Sequence, residues 1–528
     1  MPVRRGLAFP RGTVGPTKFA ARRGSVLLLV LVVIAILSLA GYTFSELMFT
    51  ERKATELSGQ RIQAEAAAES GAQYTRLFLM KTEDVQNQLG GWYDNSTAFR
   101  GLIADDVDPR HRARFTIVAP AVDSEGLLAD GVRYGLQDES CRLNLNTLLL
   151  AEKTKKGSAR TILLALPGMT EQIADSILDW IDTDSDVREY GAEIETYASL
   201  SPPYAPKNGP LDSIEELLLV NGVTPWLLFG CDANRNGRID AGEPDASNIP
   251  GVDNSDGSMT QGWAAYLTLH SMEKNVKPDG TPRINLNGDD LQKLNDDLSD
   301  ALGESAATFI VAYRQNGPAS SDAKVTENPA VQIDPKAKAT KATKLKTILD
   351  LVGAKVSITT TKNKKKSTTT LASPFPNVPG VPNPLLTSLM DNCTINPSPV
   401  IPGRININQA PRTLLVGIPG MTTEMVDQII SSRIVNPKDA DPSRRYETWL
   451  LDEGIVTLAQ MKALMPFITG GGSVFRAQVV GYFDEGGPAA RLEVVIDATA
   501  SPPRVVFWRD ISHLGRGYPV EILGTEAQ

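Results

Sequence analysis

The residues in this chain best suited to chemistry are its carboxylates. Across CDANRNGRIDAGEPD, Asp232, Asn234, Asn236, Gly237, Asp240 and Glu243 occupy positions 1, 3, 5, 6, 9 and 12 of an EF-hand-type loop. Oxygen ligands at alternate positions wrap a calcium ion, Gly237 permits the sharp turn, the carbonyl of Arg238 supplies position 7, and Glu243 closes bidentately. The competing reading is a polar turn whose Asp and Asn side chains bond their own backbone. Ile239 stands at the eighth position, and Pro244 rules against a regular exiting helix, so rigidity rather than signalling is the expected task. A second group comprises Asp179, Asp182, Asp184, Asp186 and Glu193, either an acidic helix end on a solvated face or a cation site. Acids this close, Asp182 and Asp184 above all, repel one another unless a cation intervenes. A third group, Asp253, Asn254, Asp256 and Gly257, reads as an ordinary turn or as the far side of the first loop's site.

Other chemistries have little to draw on. The 528 residues contain three histidines, His111, His270 and His513, too few for a His-rich zinc site or a catalytic triad. Cys141, Cys231 and Cys393 are an odd, widely spaced set and make no disulfide framework. No substrate cleft accompanies the paired acids, and no catalytic residue is expected. The formal charge is -9, and it becomes -15 once the six cations before Gly24 are set aside. That acidity suits cations and disfavours nucleic acid.

These groups hang from a membrane-type N-terminus. SVLLLVLVVIAILSLAGYTF, residues 25–44, carries no charge and follows Arg4, Arg5, Arg11, Lys18, Arg22 and Arg23 without one acidic residue. As a helix it spans roughly 30 Å, the thickness of the hydrocarbon layer, and the positive flank keeps the N-terminus cytoplasmic. The run continues without proline, rich in strong helix formers, and Leu47, Ala54, Leu57, Ala64, Ala68, Ala72 and Leu79 recur at helical spacing. One helix is expected from Ser25 to near Leu89. A cleaved secretory signal ending at Ser38-Leu39-Ala40 and a plain signal anchor are the competing readings.

Strands are expected over 113–122 and 131–140, and again over VFRAQVVGYF, ARLEVVIDAT and PRVVFWRDI after Gly470. Between them lie helical units. PGMT at 167–170 returns at 419–422, each time between two helical stretches, which is a helix-hairpin-helix pattern, and a partial copy spans Pro282 to Arg314. Openings at Asn144, Asn285 and Asn406 argue for three related units, their asparagines turning the chain into each first helix. The Lys-, Thr- and Pro-rich stretch after Arg314 reads as a solvated linker or an extended loop around a small ordered piece at LKTILDLVGAKVSI, and the run Lys362, Lys364, Lys365 and Lys366 as a solvated loop in preference to a grip on a partner.

The basic leader ending at Gly24, followed by an apolar helix that turns amphipathic, resembles type IV pilins and type II secretion pseudopilins. Leu29 stands where most pilins carry a glutamate, a departure that suits a subunit at a filament's end. The segment ALPGMTEQIADSILDWIDTDSDVREYGAEIETYASLSPPYAPKNGPLDSIEELLLVNGV is similar to the general secretion pathway protein K family. The match is carried by Pro167, Gly168, Asp179, Trp180, Asp182, Asp184, Gly191, Glu193, Tyr197, Pro203, Tyr204, Asn208, Glu215, Glu216, Leu217 and Gly222. Residues 230–403 lie outside it.

The resemblance implies a minor pseudopilin at the tip of a type II secretion pseudopilus, helping to initiate its assembly for export of folded proteins. Its implied partners are minor pseudopilins I and J, protein H, the major pseudopilin, a prepilin peptidase cutting between Gly24 and Ser25 with methylation of Ser25, and the inner-membrane assembly platform. The body would be periplasmic, and the family's helical domain binds calcium, which implies structural Ca2+ at Asp182, Asp184, Asp186 and Glu193, with Asp179 a further candidate.

The expected fold is α+β: a pilin-like antiparallel sheet holding a large inserted all-α domain with helix-hairpin-helix (SAM-like) units. Its parts are a leader (1–24), a transmembrane and amphipathic helix (25–89), the first part of the β domain (90–141), an inserted helical domain with the calcium loop (142–315), the Lys/Thr/Pro-rich insert (316–403), a last helix-hairpin-helix unit (404–470) and C-terminal strands (471–528). The alternatives are a type IV pilus minor pilin or a membrane-anchored helix-hairpin-helix DNA-binding or uptake protein. Against DNA, Glu171 and Glu424 stand where phosphate would lie, and no lysine or arginine flanks either turn.

Overall fold

The computed structural model describes residues 12, 24–105, 112–123, 126, 128–244, 252–326, 334, 342–362, 365–378, 380–381 and 383–524. The basic leader before Gly24, apart from Gly12, lies outside this set, as do His111 and Lys364. The chain divides into two units, Met1–Gln60 and Arg61–Gln528. Helix α1, Gly24–Leu79, is the one described helix long and apolar enough to cross a membrane, with mean hydropathy 2.7 over its most apolar window. In the first unit its apolar residues are exposed, Leu27 at 72% and Leu47 at 56%. An apolar surface of that extent in water marks a lipid or partner interface.

In the second unit the end of α1 lies on an antiparallel sheet. Its strands are β1 (Leu102–Asp105), β2 (Ala113–Val122), β3 (Leu128–Tyr134), β4 (Gln137–Asp138), β5 (Val474–Phe483), β6 (Ala490–Asp497) and β7 (Arg504–Asp510). The order is β1-β2-β5-β6-β7, with β3 also on β2 and β4 also on β5. Thus β2 meets β5, Val118 opposite Gln478 and Ala113 opposite Phe483, across more than 300 intervening residues. Ala64, Ala67, Ala68 and Ala72 are buried against Phe115, Ile117, Val479 and Val494. Small residues let the backbones approach: a Cβ on Gly71 would stand 2.5 Å from Val479 Cγ1, and one on Gly481 would stand 2.1 Å from the Ala64 carbonyl oxygen.

Two expectations need adjusting. α1 stops at Leu79 instead of running to Leu89, and a separate short helix covers Glu83–Gln88. Phe78 and Leu79 are buried, and the extended Thr82 (ψ 156°) redirects the chain so that Trp92 packs edge-on against Phe475, 4.8 Å between ring centres. The single strand expected over 131–140 is divided into β3 and β4 at Gly135. A Cβ there would lie 2.4 Å from the carbonyl oxygens of Trp92 and Tyr93, and the Leu136 N–H donates to Trp92 O at 2.9 Å.

Between β4 and β5 the chain builds three units on one plan. Each opens with a two-residue strand that pairs in parallel with a two-residue strand at its end: Leu143–Asn144 with Leu267–Thr268, Ile284–Asn285 with Cys393–Thr394, and Ile405–Asn406 with Ile468–Thr469. The opening asparagine accepts from the backbone two residues on, Asn144 from Asn146, Asn285 from Asn287 and Asn406 from Asn408. The next asparagine clamps a distant segment: Asn146 exchanges two hydrogen bonds with Leu211, Asn287 does the same with Leu345, and Asn408 donates to Gly470 O. An arginine precedes each opening and reaches the carbonyl just before the closing strand, Arg142 to Ala264, Arg283 to Asp391 and Arg404 to Met465.

Inside the units, helix pairs follow the openings: α2 (Ser158–Leu163) and α3 (Glu171–Ile181), α4 (Leu291–Leu302) and α5 (Glu304–Asn316), α6 (Arg412–Val416) and α7 (Thr423–Ser432). The first and third pairs turn at Gly168 (φ +68°) and Gly420 (φ +100°), then cap at Thr170 and Thr422. One hydrophobic core runs through all three units.

The second unit's closing strand lies beyond 315/316, and the described residues of the stretch read as linker include ordered elements, while 327–333, 335–341 and 363–364 lie outside the described residues. Lys355–Lys362 and Lys365–Ala372 form an antiparallel hairpin, with Val356 opposite Leu371 and both buried, and the Pro-rich part supplies a helix at Pro384–Asn392. Threonine and valine favour strands regardless of net hydropathy, and burying alternate side chains is enough to seat the hairpin.

Candidate metal centre

The first carboxylate loop leaves the short helix Pro225–Phe229, which is capped by Thr224. Asp232 is buried and receives the N–H of Asn236 at 3.0 Å and of Gly237 at 2.7 Å, Gly237 turning at φ +76°. Asp240 Oδ2 accepts from the side-chain amides of both Asn234 (2.7 Å) and Asn236 (2.8 Å). Glu243 accepts from the N–H groups of Asn234 and Asp240, and Ile239 packs against the core. Residues 232, 234, 236, 240 and 243 thus converge as their spacing predicts. Burial pushes the Asp232 carboxyl up to about 6, against the pull of the two backbone amides, and the Glu243 charge adds to the rise. No helix follows Glu243 up to Pro244, the last described residue there.

The second group sits at the end of α3. Asp179, Asp182 and Glu193 are buried, while Asp184 and Asp186 are exposed. Arg188 Nη1 lies 2.6 Å from Asp179 Oδ1 and 2.5 Å from Asp182 Oδ2. The cation that mutual repulsion calls for is thus already present as a guanidinium. The exposed Asp184 carboxylate accepts the Asp186 N–H, whereas Asp179, a further candidate, shares Arg188 with Asp182. Gly191 makes room for it, since a Cβ there would fall 1.9 Å from Asp179 Oδ2.

The Asp184 backbone carbonyl does reach the site, accepting from Asn208 Nδ2 at 2.6 Å. Asp182 Oδ1, Glu193 Oε1 and Asn208 Oδ1 are buried with no hydrogen-bond partner. Burial raises the carboxyls of Asp179, Asp182 and Glu193, with hydrogen bonds from Arg188 to the first two and from Asn208 to the third opposing it. Uncapped buried oxygens of this kind fit a hard cation. Arg188 and Asn208 were the residues that sequence reasoning left out of this site. The only signal for Arg188 was a lone basic residue within an acidic run.

The third group resolves as a turn. Asp253 accepts from Ser255 N, Asn254 from Met259 N and Asp256 from Ser258 N, so Asp253 and Asp256 satisfy neighbouring backbone instead of the first loop. Closure from that side comes from Thr260, whose carbonyl accepts from Cys231 N and Asp232 N, and from Gln261, which donates to Gly237 O. Among the described residues, no three His, Cys, Asp or Glu side chains gather as a ready metal cluster. Any cation would depend on the amide and carbonyl oxygens as well.

The cysteines are buried and free. Residues 141–228, which include the whole second group, match the family described as type II secretion system (T2SS), protein K. The chain is also 30% identical over 161 residues to a protein of Escherichia coli (strain K12) named for type II secretion system protein K, covering 28% of this chain. The match spans about half of that relative, 49% of its length. A chain from the crystal structure of the GspK-GspI-GspJ complex of the enterotoxigenic Escherichia coli type 2 secretion system aligns at 13% identity. The alignment covers 87% of this chain and 99% of that one with a TM-score of 0.32, a level that establishes no common fold. The loop at 232–243 lies beyond the protein K match.

Proposed function

We propose that this protein is a minor pseudopilin of a type II secretion system, placed at the pseudopilus tip with minor pseudopilins I and J and joined to the shaft through protein H. The observation that carries this reading is the protein K segment set between strands of an antiparallel sheet, in a chain whose N-terminal helix exposes an apolar surface. The apolar part of α1 anchors the protein in the inner membrane, N-terminus cytoplasmic and body periplasmic, and later packs into the pseudopilus. Prepilin peptidase cuts between Gly24 and Ser25. The two Pro-Gly helix pairs are helix-hairpin-helix packing units, and Glu171 and Glu424 in the first turns of α3 and α7 repel phosphate.

Calcium is structural in this reading. It sits in the loop through Asp232, Asn234, Asn236, the Arg238 carbonyl, Asp240 and Glu243, and in the protein K segment through Asp182, Glu193 and the Asp184 carbonyl, beside Asp179. Its contribution is charge neutralisation and local rigidity.

The deciding experiment is the mass and N-terminal sequence of the mature protein from its own membranes. A chain starting at Ser25 with a methylated amine is expected, and processing should fail for Gly24→Ala along with secretion and co-purification with I and J. A mature chain starting at Gly41, or normal secretion without processing, overturns the proposal.

A further inference from the structure

The cation loop has a second face, turned to the sheet. Arg235 stands in the left-handed region at φ +56°, a conformation that few side-chain-bearing residues adopt. With the chain turned there, the carbonyls of residues 234 and 235 both accept hydrogen bonds from the sheet. Arg491, fully buried on β6, donates to Asn234 O at 2.9 Å and to Arg235 O at 3.0 Å. Gln478 on β5 donates to Arg235 O at 2.8 Å, and its Oε1 accepts from Arg491 (3.1 Å) and from Tyr518 (2.8 Å). Asn236, itself a loop ligand position, donates to Gly517 O at 2.6 Å while holding Asp240. Three hydrogen bonds from outside the loop thus hold the carbonyls of residues 234 and 235, and the Asn236 side chain adds one bond outward to Gly517 O.

We propose that Arg491 and Gln478 are positioning residues for the loop, so that cation binding at 232–243 and docking of the inserted domain on the sheet are one equilibrium. The inference rests on the calcium reading of the loop given above. Holding the carbonyls of residues 234 and 235 fixes the backbone from which Asp232 and Asn234 both reach the Asn236 N–H. A guanidinium serves because its planar fork reaches two successive carbonyls at once, which a single ammonium cannot do. By linkage, whatever the sheet contributes to cation affinity the cation returns as docking strength. The sheet also carries β2 and β5, on which the end of α1 lies.

The test uses the full-length protein in detergent, with calcium chloride titrated by calorimetry and amide exchange followed with and without the ion. Arg491→Met is expected to weaken calcium binding at this loop at least tenfold, with Arg491→Lys recovering part of the loss. Tyr518→Phe, which removes one bond to Gln478 and perturbs the fold least, should weaken binding two- to fivefold. In the unaltered protein, calcium should slow exchange in residues 474–483, 490–497 and 515–518 as well as in the loop.

If Asp232→Asn abolishes binding while Arg491→Met and Tyr518→Phe bind within twofold of the unaltered protein, the coupling is wrong and the loop reading stands. If calcium protects only 232–243, the coupling is likewise overturned. Absence of any binding lost on Asp232→Asn overturns both.

Discussion

The two carboxylate sites show that the same residue types, gathered at similar density, can solve charge repulsion in different ways. At the end of α3 the protein supplies its own cation: Arg188 spans Asp179 and Asp182, and the protonic cost of burying the acids is partly met. In the loop at 232–243 no ion pair among the described residues joins an arginine to Asp232, Asp240 or Glu243. Backbone N–H groups and asparagine amides take the carboxylate oxygens, and Arg491 bonds the loop from outside through its carbonyls. One site is neutralised in its centre by a guanidinium. The other is braced at its back and left negative in its centre. Density of acids alone therefore does not say how their charge is met; the position of the nearest guanidinium decides it.

That contrast can be broken most sharply at Arg188. Arg188→Ala leaves two buried carboxylates without their partner, and in chelator the stability should fall by about 3–5 kcal/mol. Excess calcium should restore much of the loss if the ion takes the guanidinium's place. Urea unfolding of the detergent-solubilised protein reads both numbers, and a loss that calcium leaves untouched would mean the site holds only its arginine.

The loop should behave differently with pH. Because the Asp232 carboxyl is raised to about 6, the native state keeps its proton where the unfolded chain has already lost it. Calcium-free stability therefore falls as pH rises from about 4 to about 6, by no more than about 3 kcal/mol from this group. Asp232→Asn should flatten that part of the profile, while Asp253→Asn should leave it unchanged. Unfolding in chelator at pH 4.5 and pH 7 is sufficient to measure it.

Calcium at a hundred times its dissociation constant should stabilise the protein by about 2.7 kcal/mol for each site filled. Asp232→Asn with Glu243→Gln should remove one such increment, and Asp182→Asn with Glu193→Gln the other. Scanning calorimetry with and without the ion separates them. The smallest effect belongs to the turn at 253–257: Asp256→Ala loses one bond to Ser258 N and should cost about 1 kcal/mol or less, with calcium affinity unchanged.

Much of the architecture was readable in advance because it depends on local rules. β2 was expected at 113–122 and lies there; β5 and β6 begin where their alternation begins. The asparagine openings at 144, 285 and 406 foretold three units, since a side chain bonding its own backbone two residues on needs no distant partner. The convergence of 232, 234, 236, 240 and 243 was legible for the same reason: a twelve-residue loop fixes its own ligand spacing.

What was misread involved partners far along the chain. The closing strands, two residues each, are too short to show any periodicity, so the second unit's reach to Thr394 could not be read from its own residues. The Lys- and Thr-rich hairpin looked solvated because composition averages over faces, and only its pairing shows Val356 and Leu371 going inside together.

The chain alone specified a long apolar N-terminal helix, three asparagine-opened units, strands on either side of them and a loop with calcium-ligand spacing. Tertiary structure alone decided which acids are neutralised and how each site is braced. It set Arg188 between Asp179 and Asp182, turned Asp184 outward, and brought Arg491 to the carbonyls of residues 234 and 235, more than 250 residues away. The physical reason is range. Turn geometry and helix caps act over a few residues, whereas the charge a buried carboxylate meets is set by whichever groups the fold places within a few ångströms of it.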